Sequence, residues 1–236
     1  MTETNLISES WNMPRKIQIA EPPPKIPVEV MAVSHLGDGI FRIRLRSPFT
    51  DWKPGDCIAV YGPDQSGISR PYSLCGSIFD SELELWVRKF PGGQVSEYLC
   101  SCRVGDEIRV SPPFGYFRPA EPENADKLYF ATGTGIAPFL SAIHSGIAKP
   151  GEIFWGLRQP LTYQPDFPVR MFLSQSVQAD AGQGRITQVL PNLHFTRDTH
   201  VYACGLDKMI EEVLGYFSER GLPEAQLHRE CFFTAL

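Results

Sequence analysis

Hydrophobic and polar positions follow one pattern in the first half of the chain and another in the second half. From residue 28 to residue 110, short runs of alternating hydrophobic and polar residues are separated by turns rich in glycine, proline and aspartate. Short strands at this spacing predict a small closed barrel, here an antiparallel Greek-key β-barrel. One helical stretch interrupts the pattern at residues 96–100, with Ser96 as its expected N-cap. The predicted strands are residues 28–33, 40–45, 57–60, a strand through Tyr72, 83–88 and 107–110.

After residue 126 the chain alternates between apolar strands and amphipathic helices. Residues 206–220, for example, place Met209, Val213 and Phe217 on one helix face, and Gly221 ends that helix. Strands that alternate with helices predict a parallel sheet covered by helices on both sides, here an α/β Rossmann-like domain. The predicted strands are 127–131, 152–157, 169–173, 201–204 and 227–230, and the predicted helices are 136–147 and 206–220.

The two patterns predict two domains. Residues 118–126 are polar and interrupted by prolines, so we place the boundary between residues 121 and 122. The barrel then occupies residues 26–121, and the α/β domain occupies residues 122–236. Residues 1–25 are polar, carry three consecutive prolines near their end and predict a flexible N-terminal extension.

Composition argues against several classes of function. The 236 residues carry a formal net charge of -5 with acids and bases interspersed, which is not the footprint of a nucleic-acid-binding protein. No apolar run approaches the ~20 residues of a membrane span, and no secretory signal is visible. The six cysteines are scattered beside apolar residues, which predicts reduced thiols and a cytoplasmic location. Their spacing fits neither a zinc site nor a plant-type iron–sulfur cluster, so we expect no metal.

A first candidate binding site is Arg70-Pro71-Tyr72-Ser73 on a predicted barrel strand. A guanidinium can bind a phosphate through two parallel hydrogen bonds, an aromatic face can stack on a flat ring, and a hydroxyl can donate to a ring nitrogen. These residue types suit a cofactor that combines a phosphate with a planar ring. The alternative interpretation is an ordinary barrel strand with an exposed arginine.

A second candidate site lies where the barrel helix begins. Its two glycines leave backbone N–H groups open at a helix start, which attracts anions. The alternative is a simple turn into a short helix. The cofactor-binding residues assigned to this site and to the end of the preceding strand are Val87, Arg88, Gly92, Gly93, Gln94, Val95 and Ser96.

A third candidate site is Thr132-Gly133-Thr134-Gly135-Ile136, which follows a predicted strand and opens a helix. Two closely spaced glycines allow a tight turn and let a pyrophosphate approach the helix N-terminus. The match to Gly-x-Gly-x-x-Gly is incomplete because Pro138 stands at the third glycine position. Taken alone, the motif is therefore a weak dinucleotide signal.

Together these motifs resemble the ferredoxin–NADP reductase superfamily. Arg-x-Tyr-Ser resembles its flavin-binding motif, the Gly92 region resembles its flavin-phosphate site, and Gly-Thr-Gly-Ile-Ala-Pro resembles the motif that lies under its nicotinamide dinucleotide. The resemblance is closest to oxygenase reductases, here without an iron–sulfur domain. Three further segments resemble the superfamily in the same order, namely Phe154-Trp155-Gly156-Leu157-Arg158, Tyr202-Ala203-Cys204-Gly205 and His228-Arg229-Glu230-Cys231-Phe232.

The resemblance implies roles for individual residues. Ser73 would hydrogen-bond near flavin N5, and Tyr72 would flank the isoalloxazine. Cys204 and Glu230 would lie beside the nicotinamide as positioning groups, so Ser73, Cys204 and Glu230 are the candidate catalytic residues. Without the resemblance, Cys204 is a small buried residue at a strand end and Glu230 is a solvated edge charge. The remaining candidate cofactor-binding residues are Arg158, Cys204, Gly205 and Phe232.

The resemblance also implies two cofactors. We favour FAD, with FMN as the alternative, because members that use either share the Arg-x-Tyr-Ser strand. The dinucleotide is NADH or NADPH. Since NADPH users tend to place a Ser-Arg pair after the third strand and this chain has Leu173-Ser174-Gln175-Ser176 there, we favour NADH. Arg158 and Arg185 remain alternatives for binding a 2′-phosphate.

The implied function is that of an NAD(P)H-dependent flavin oxidoreductase. It would take a hydride onto bound FAD and pass single electrons to a separate acceptor. The implied partner is a small iron–sulfur (ferredoxin-like) or flavodoxin-like carrier, or a terminal oxygenase. One alternative is a free flavin reductase that uses flavin as a substrate. Another is an electron-relay subunit of a larger complex.

Overall fold

A computed structural model describes residues 23–63, 67–147 and 151–232. The predicted flexible extension therefore lies almost entirely outside the described residues. The described chain forms two six-stranded sheets that follow one another in sequence. The first is antiparallel and the second is parallel, as predicted.

The antiparallel sheet closes into a barrel. Its strand order is β4-β3-β6-β1-β2-β5, and a bridge between Leu74 and Leu85 joins the two end strands. Apolar side chains from alternate positions fill the interior, among them Val30, Ile43 and Leu85, none of them exposed. The strands are β1 (Ile26–Gly37), β2 (Ile40–Arg46), β3 (Cys57–Tyr61), β4 (Ser69–Ser73), β5 (Glu82–Arg88) and β6 (Glu107–Val110), with helix α1 (Gln94–Ser101) between β5 and β6.

The parallel sheet has the order β10-β9-β8-β7-β11-β12, with helices between its strands. A connecting segment between β6 and β7 leads from the barrel to this sheet. The predicted domain boundary lies in that segment, and its exact position stays a prediction. Its strands are β7 (Lys127–Thr132), β8 (Glu152–Leu157), β9 (Arg170–Leu173), β10 (Gly182–Gln183), β11 (His200–Gly205) and β12 (Leu227–Cys231). Its helices are α2 (Ala137–His144) and α3 (Asp207–Glu219), with 3₁₀ turns at Gly133–Ile136, Ile186–Asn192 and Glu224–Gln226.

Two details of the helices differ from the sequence prediction. Helix α1 begins at Gln94 with Gly93 as its N-cap, so Ser96 lies in the first turn instead of capping it. Its hydroxyl accepts from the Phe90 amide at 3.2 Å and donates to the Gly93 carbonyl at 3.1 Å. The helix predicted at residues 136–147 is shorter in the structure: a 3₁₀ turn over Gly133–Ile136 leads into an α-helix that runs from Ala137 to His144, and 3₁₀ turns are frequent at helix ends.

The two sheets share one hydrophobic cluster. Trp86 of β5 packs against Trp155 of β8, with ring centroids 6.0 Å apart, and against Tyr163 at 4.8 Å. The amide of Thr162 donates to the carbonyl of Leu36 in β1 at 2.7 Å. These contacts fix the seam between barrel and parallel sheet. In the described part of the chain, no helix has both the length and the apolar character needed to cross a membrane.

Candidate active site at the seam of the two sheets

The parallel sheet has a switch point between β7 and β11. The chain leaves β7 toward β8 on one side and leaves β11 toward β12 on the other, so the loops after β7 and β11 diverge. In open α/β sheets, ligands bind in the crevice at the carboxyl ends of the strands at such a point. The predicted Thr132–Gly135 motif forms the first of these loops, and Gly205 begins the second.

Glycine is required where the two loops meet. A Cβ on Gly135 would lie 2.3 Å from the Cys204 carbonyl oxygen, and a Cβ on Gly205 would lie 2.2 Å from Thr132 Oγ1. Gly205 also has a φ of +129°, which side chains rarely adopt. Both glycines therefore allow the loops to pack backbone to backbone and leave the crevice above them open.

A cavity of about 480 Å³ opens at this edge of the sheet. The carboxyl end of β8 contributes Leu157 to its wall, the segment after β9 contributes Ser174 and Gln175, and Arg185 also lines it. Gly135 and Ile136 are buried at the start of the helix below it. The lining includes seven of the predicted cofactor-binding residues, namely Arg88, Thr132, Gly133, Thr134, Arg158, Gly205 and Phe232.

The three predicted catalytic residues meet at the seam. Cys204 and Glu230 are direct neighbours on the paired strands β11 and β12. The Ser73 hydroxyl, from the barrel strand β4, donates to Glu230 Oε2 at 3.0 Å, and the Cys204 thiol donates to the same oxygen at 3.7 Å. Glu230 is therefore not the solvated edge charge of the alternative interpretation.

Cys57 is a fourth member of this cluster that the sequence analysis did not assign. It pairs with Ser73 across β3 and β4, and its thiol donates to Glu230 Oε1 at 3.4 Å. The register of these strands brings it there, and a single sequence does not reveal that register. The carboxylate of Glu230 thus accepts side-chain hydrogen bonds on both of its oxygens.

Burial controls the protonation of the cluster. It raises the pKa of Glu230 above the ordinary value of 4.5, although hydrogen bonds from Cys57, Ser73 and Cys204 and the charge of Arg118 act in the opposite direction. Burial also raises the pKa of the Cys57 thiol and that of Cys204, and the nearby Glu230 charge adds to both shifts. Both thiols are therefore protonated at neutral pH and act as hydrogen-bond donors, not as nucleophiles.

On the barrel side, β4 lies beside helix α1. Arg70 is exposed, while Tyr72 is partly buried against the barrel core. Burial raises the pKa of Tyr72, with a smaller contribution from the Cys100 thiol of α1, and the charge of Arg70 opposes it. The first-turn amides of α1 have no intrahelical acceptor, and Gly92 beside them has open space where a side chain would be. The Gly92 amide donates to Glu97 Oε1 at 3.2 Å, so the donors left for a phosphate are the first-turn amides and the exposed Arg70.

Some predicted residues face away from these sites. The side chains of Val87 and Val95 belong to the barrel core, so only their backbone can contact a ligand. Pro71 is exposed on β4, where it pairs with Ala59. In the described residues, no group of three or more His, Cys, Asp or Glu side chains is arranged to hold a metal ion.

A known protein family matches the first half of the chain. Residues 29–118, which contain strands β2 to β6 and most of β1, match the model of the oxidoreductase FAD-binding domain.

Among characterised proteins, the chain is 29% identical over 217 residues to the reductase component of the naphthalene 1,2-dioxygenase/salicylate 5-hydroxylase systems of a Ralstonia species. That alignment covers 82% of this chain and 64% of the relative. A terephthalate 1,2-dioxygenase reductase component of a Comamonas species is 27% identical, with 82% and 64% covered. The chain thus spans somewhat less than two thirds of the length of these relatives.

Solved structures share the fold. The chain superposes on a ferredoxin NADP+ reductase from Neisseria gonorrhoeae with a TM-score of 0.75 at 18% identity, covering 89% of this chain and 99% of the other. It superposes on phthalate dioxygenase reductase with a TM-score of 0.74 at 19% identity, covering 90% and 69%. Both likenesses include the barrel and the parallel sheet.

Proposed function

We propose that the chain is a member of the ferredoxin–NADP reductase superfamily and an NAD(P)H-dependent flavin oxidoreductase that passes electrons to a separate protein. One observation carries the proposal: Ser73, Cys204 and Glu230 come from two different sheets and meet beside the dinucleotide crevice. A binding module for either ligand alone would have no use for this convergence.

The residues on the barrel side fit FAD. Arg70 and the open amides of α1 supply the donors that a phosphate needs, and Tyr72 supplies an aromatic face. Ser73 presents a hydroxyl for a ring nitrogen. FAD supplies the conversion of two-electron donors into one-electron chemistry. We favour FAD over FMN because the matching family model describes FAD-binding domains.

The residues of the parallel sheet bind and orient the dinucleotide. The Thr132–Gly135 loop presents its backbone to the pyrophosphate, and the tight approach of Gly205 keeps the crevice floor flat. Cys204 and Glu230 lie where the crevice meets the barrel, so they orient the reacting ring and exclude water from it. Since Glu230 already accepts from Ser73, it also fixes the Ser73 hydroxyl.

We propose NADH as the preferred donor. The segment after β9 offers Ser174 and Gln175 and no arginine to a 2′-phosphate. Arg158 and Arg185 both line the cavity; the Arg158 guanidinium is engaged by the Asp38 carboxylate, whereas Arg185 is an exposed side chain after β10. The electron acceptor is a ferredoxin-like carrier or a terminal oxygenase, since the relatives are reductase components of such systems. A cytoplasmic location is consistent with the six free cysteines and stays a prediction.

The proposal is tested with purified protein. We expect a yellow protein with about one FAD per chain that oxidises NADH when ferricyanide is the acceptor. A protein that purifies without flavin and consumes added FAD or FMN as a freely exchanging substrate is instead a free flavin reductase. A protein that binds flavin and does not oxidise NADH or NADPH contradicts the proposal and favours a relay subunit.

A further inference from the structure

Asp38 joins two arginines at the edge of the dinucleotide cavity. Arg88 donates to the Asp38 carbonyl oxygen at 2.6 Å and to its Oδ2 at 2.9 Å. Arg158 donates to Oδ1 of the same carboxylate through its Nε at 3.1 Å, and its NH2 group lies 3.0 Å from that oxygen. The Asp38 side chain is 6% exposed, whereas that of Arg158 is 52% exposed. One buried carboxylate therefore anchors two cationic side chains that line the cavity.

The geometry of Asp38 is specific. It lies in the hairpin between β1 and β2 with a φ of +48°, and no other non-glycine residue in the described part of the chain has a positive φ. The Thr162 amide donates to the Leu36 carbonyl of the same hairpin, so the turn is held against the loop after β8. The β1–β2 hairpin of the barrel thus places the Asp38 carboxylate beside the carboxyl end of β8 in the parallel sheet.

Arg158 stands where a Rossmann-type site distinguishes the two dinucleotides. It follows β8, the second strand of the βαβ unit that contains the Thr132–Gly135 loop. In such sites, a residue about 20 positions beyond the glycine motif reads the ribose 2′-hydroxyl, and a nearby arginine accommodates a 2′-phosphate. The Gln175 amide donates to the Arg158 carbonyl at 2.9 Å, which places the third-strand segment beside it.

We propose that Asp38 is a specificity-determining residue that disfavours NADPH. Its carboxylate binds the Arg158 guanidinium, which would otherwise be available to a 2′-phosphate. It also adds a negative charge beside the two arginines that line the cavity. The inference rests on the proposed use of a nicotinamide dinucleotide, and it names a residue that determines the preference for NADH over NADPH.

The net charge of the three side chains predicts the direction in which replacing Asp38 changes NADPH binding. Asp38, Arg88 and Arg158 together carry a net charge of +1, and neutralising Asp38 raises this to +2. A 2′-phosphate is attracted to the second state more strongly, and the freed guanidinium can bind it through paired hydrogen bonds. The pyrophosphate is common to both dinucleotides, so a change in its binding affects them equally. The ratio of kcat/KM for NADPH to kcat/KM for NADH therefore reports the contribution of the 2′-phosphate alone.

The test replaces Asp38 by Asn, which keeps the shape and tolerates positive φ. Asp38→Gly is a second variant, since glycine adopts this conformation without strain. Glu29→Gln is the matched control, because Glu29 forms an exposed pair with Arg46 on the same two strands, 3.0 Å apart and away from the cavity. Circular dichroism checks that each variant is folded.

Two measurements are made. The first is the kcat/KM of flavin-loaded protein for NADPH relative to NADH with ferricyanide as acceptor. The second is calorimetric binding of 2′,5′-ADP compared with 5′-ADP, which needs no turnover. We expect Asp38→Asn to raise the NADPH:NADH ratio and the preference for 2′,5′-ADP by about tenfold, the value of roughly one charge-assisted hydrogen bond. Adding Arg158→Ala to Asp38→Asn should remove the gain.

The outcomes separate this inference from the proposed function. A folded Asp38→Asn or Asp38→Gly protein with unchanged ratios overturns the inference, even if its melting temperature falls. A wild-type preference for NADPH also overturns it. A wild-type protein that oxidises neither dinucleotide refutes the proposed function, and the ADP comparison then still reports whether Asp38 opposes a 2′-phosphate.

Discussion

Replacing Glu230 by Gln tests the centre of the proposed site. The wild-type carboxylate accepts from Ser73 and Cys204 on one oxygen and from Cys57 on the other. An amide keeps the shape of the side chain but offers only one acceptor oxygen and adds two donor hydrogens. Whichever way it is oriented, at least one of the three donors then faces another donor.

The magnitude follows from those contacts. A hydrogen bond to a charged group is worth about 1.5–3 kcal/mol, and about 1.4 kcal/mol corresponds to a factor of ten. Loss of one such bond, together with the altered orientation of the Ser73 hydroxyl, should slow hydride transfer by about 10- to 100-fold. Flavin content should stay the same, since Arg70 and the first turn of α1 are untouched.

The assay is anaerobic stopped-flow reduction of the bound flavin by NADH, followed as loss of the flavin absorbance. Because burial raises the pKa of Glu230, the wild-type carboxylate takes up its proton at a higher pH than an exposed glutamate. The wild-type rate should therefore fall on the acidic side, and the Gln variant should lack that limb. Glu219→Gln, on an exposed helix end, is the control. A Glu230→Gln rate within twofold of wild type at every pH refutes the reasoning.

Three further predictions follow from other parts of the structure. Arg70→Ala should lose most of its bound flavin, measured by absorbance after purification, and full retention contradicts a phosphate role for this arginine. Gly135→Ala forces a Cβ to 2.3 Å from the Cys204 carbonyl, so both the melting temperature and NADH binding should fall; unchanged values of both contradict the packing argument. Burial lowers the pKa of His228 to about 4 and also lowers that of His200, so the unfolded chain binds more protons. Stability should thus decline from about pH 6.5 toward pH 4, and His228→Gln should decline less over that range in melting curves.

Sequence reasoning predicted the fold and named residues that the structure brings together at the candidate site, because both rest on local signals. Alternating residues and turn glycines predict barrel strands such as β5, and the Thr132–Gly135 motif marks a strand-to-helix turn without knowledge of distant contacts. The short strand β10 and the 3₁₀ turn Ile186–Asn192 were missed because neither carries a periodic hydrophobic pattern. Ser96 was assigned as an N-cap because hydroxyl residues favour that position, but Gly93 and its preceding turn start the helix one turn earlier.

Sequence reasoning could not identify Cys57 and Asp38, because both reach the candidate site through contacts between the two sheets. Cys57 reaches Glu230 only because β3 pairs with β4 in a particular register and because the barrel docks on β12. Asp38 reaches Arg158 across 120 positions of sequence. Neither residue belongs to a motif, since each acts through a partner that the other sheet provides.

The same dependence explains why the seam matters to the chemistry. The hydrogen bond between Ser73 and Glu230 crosses from barrel to parallel sheet and spans 3.0 Å. A relative shift of the sheets by about 1 Å would break it, since hydrogen bonds weaken steeply beyond their usual length. Trp86 and Trp155 are both nearly inaccessible and pack together in the shared cluster, and such close-packed groups do not deform gradually. The aromatic packing of the seam thus holds the donor and acceptor of the proposed site in register.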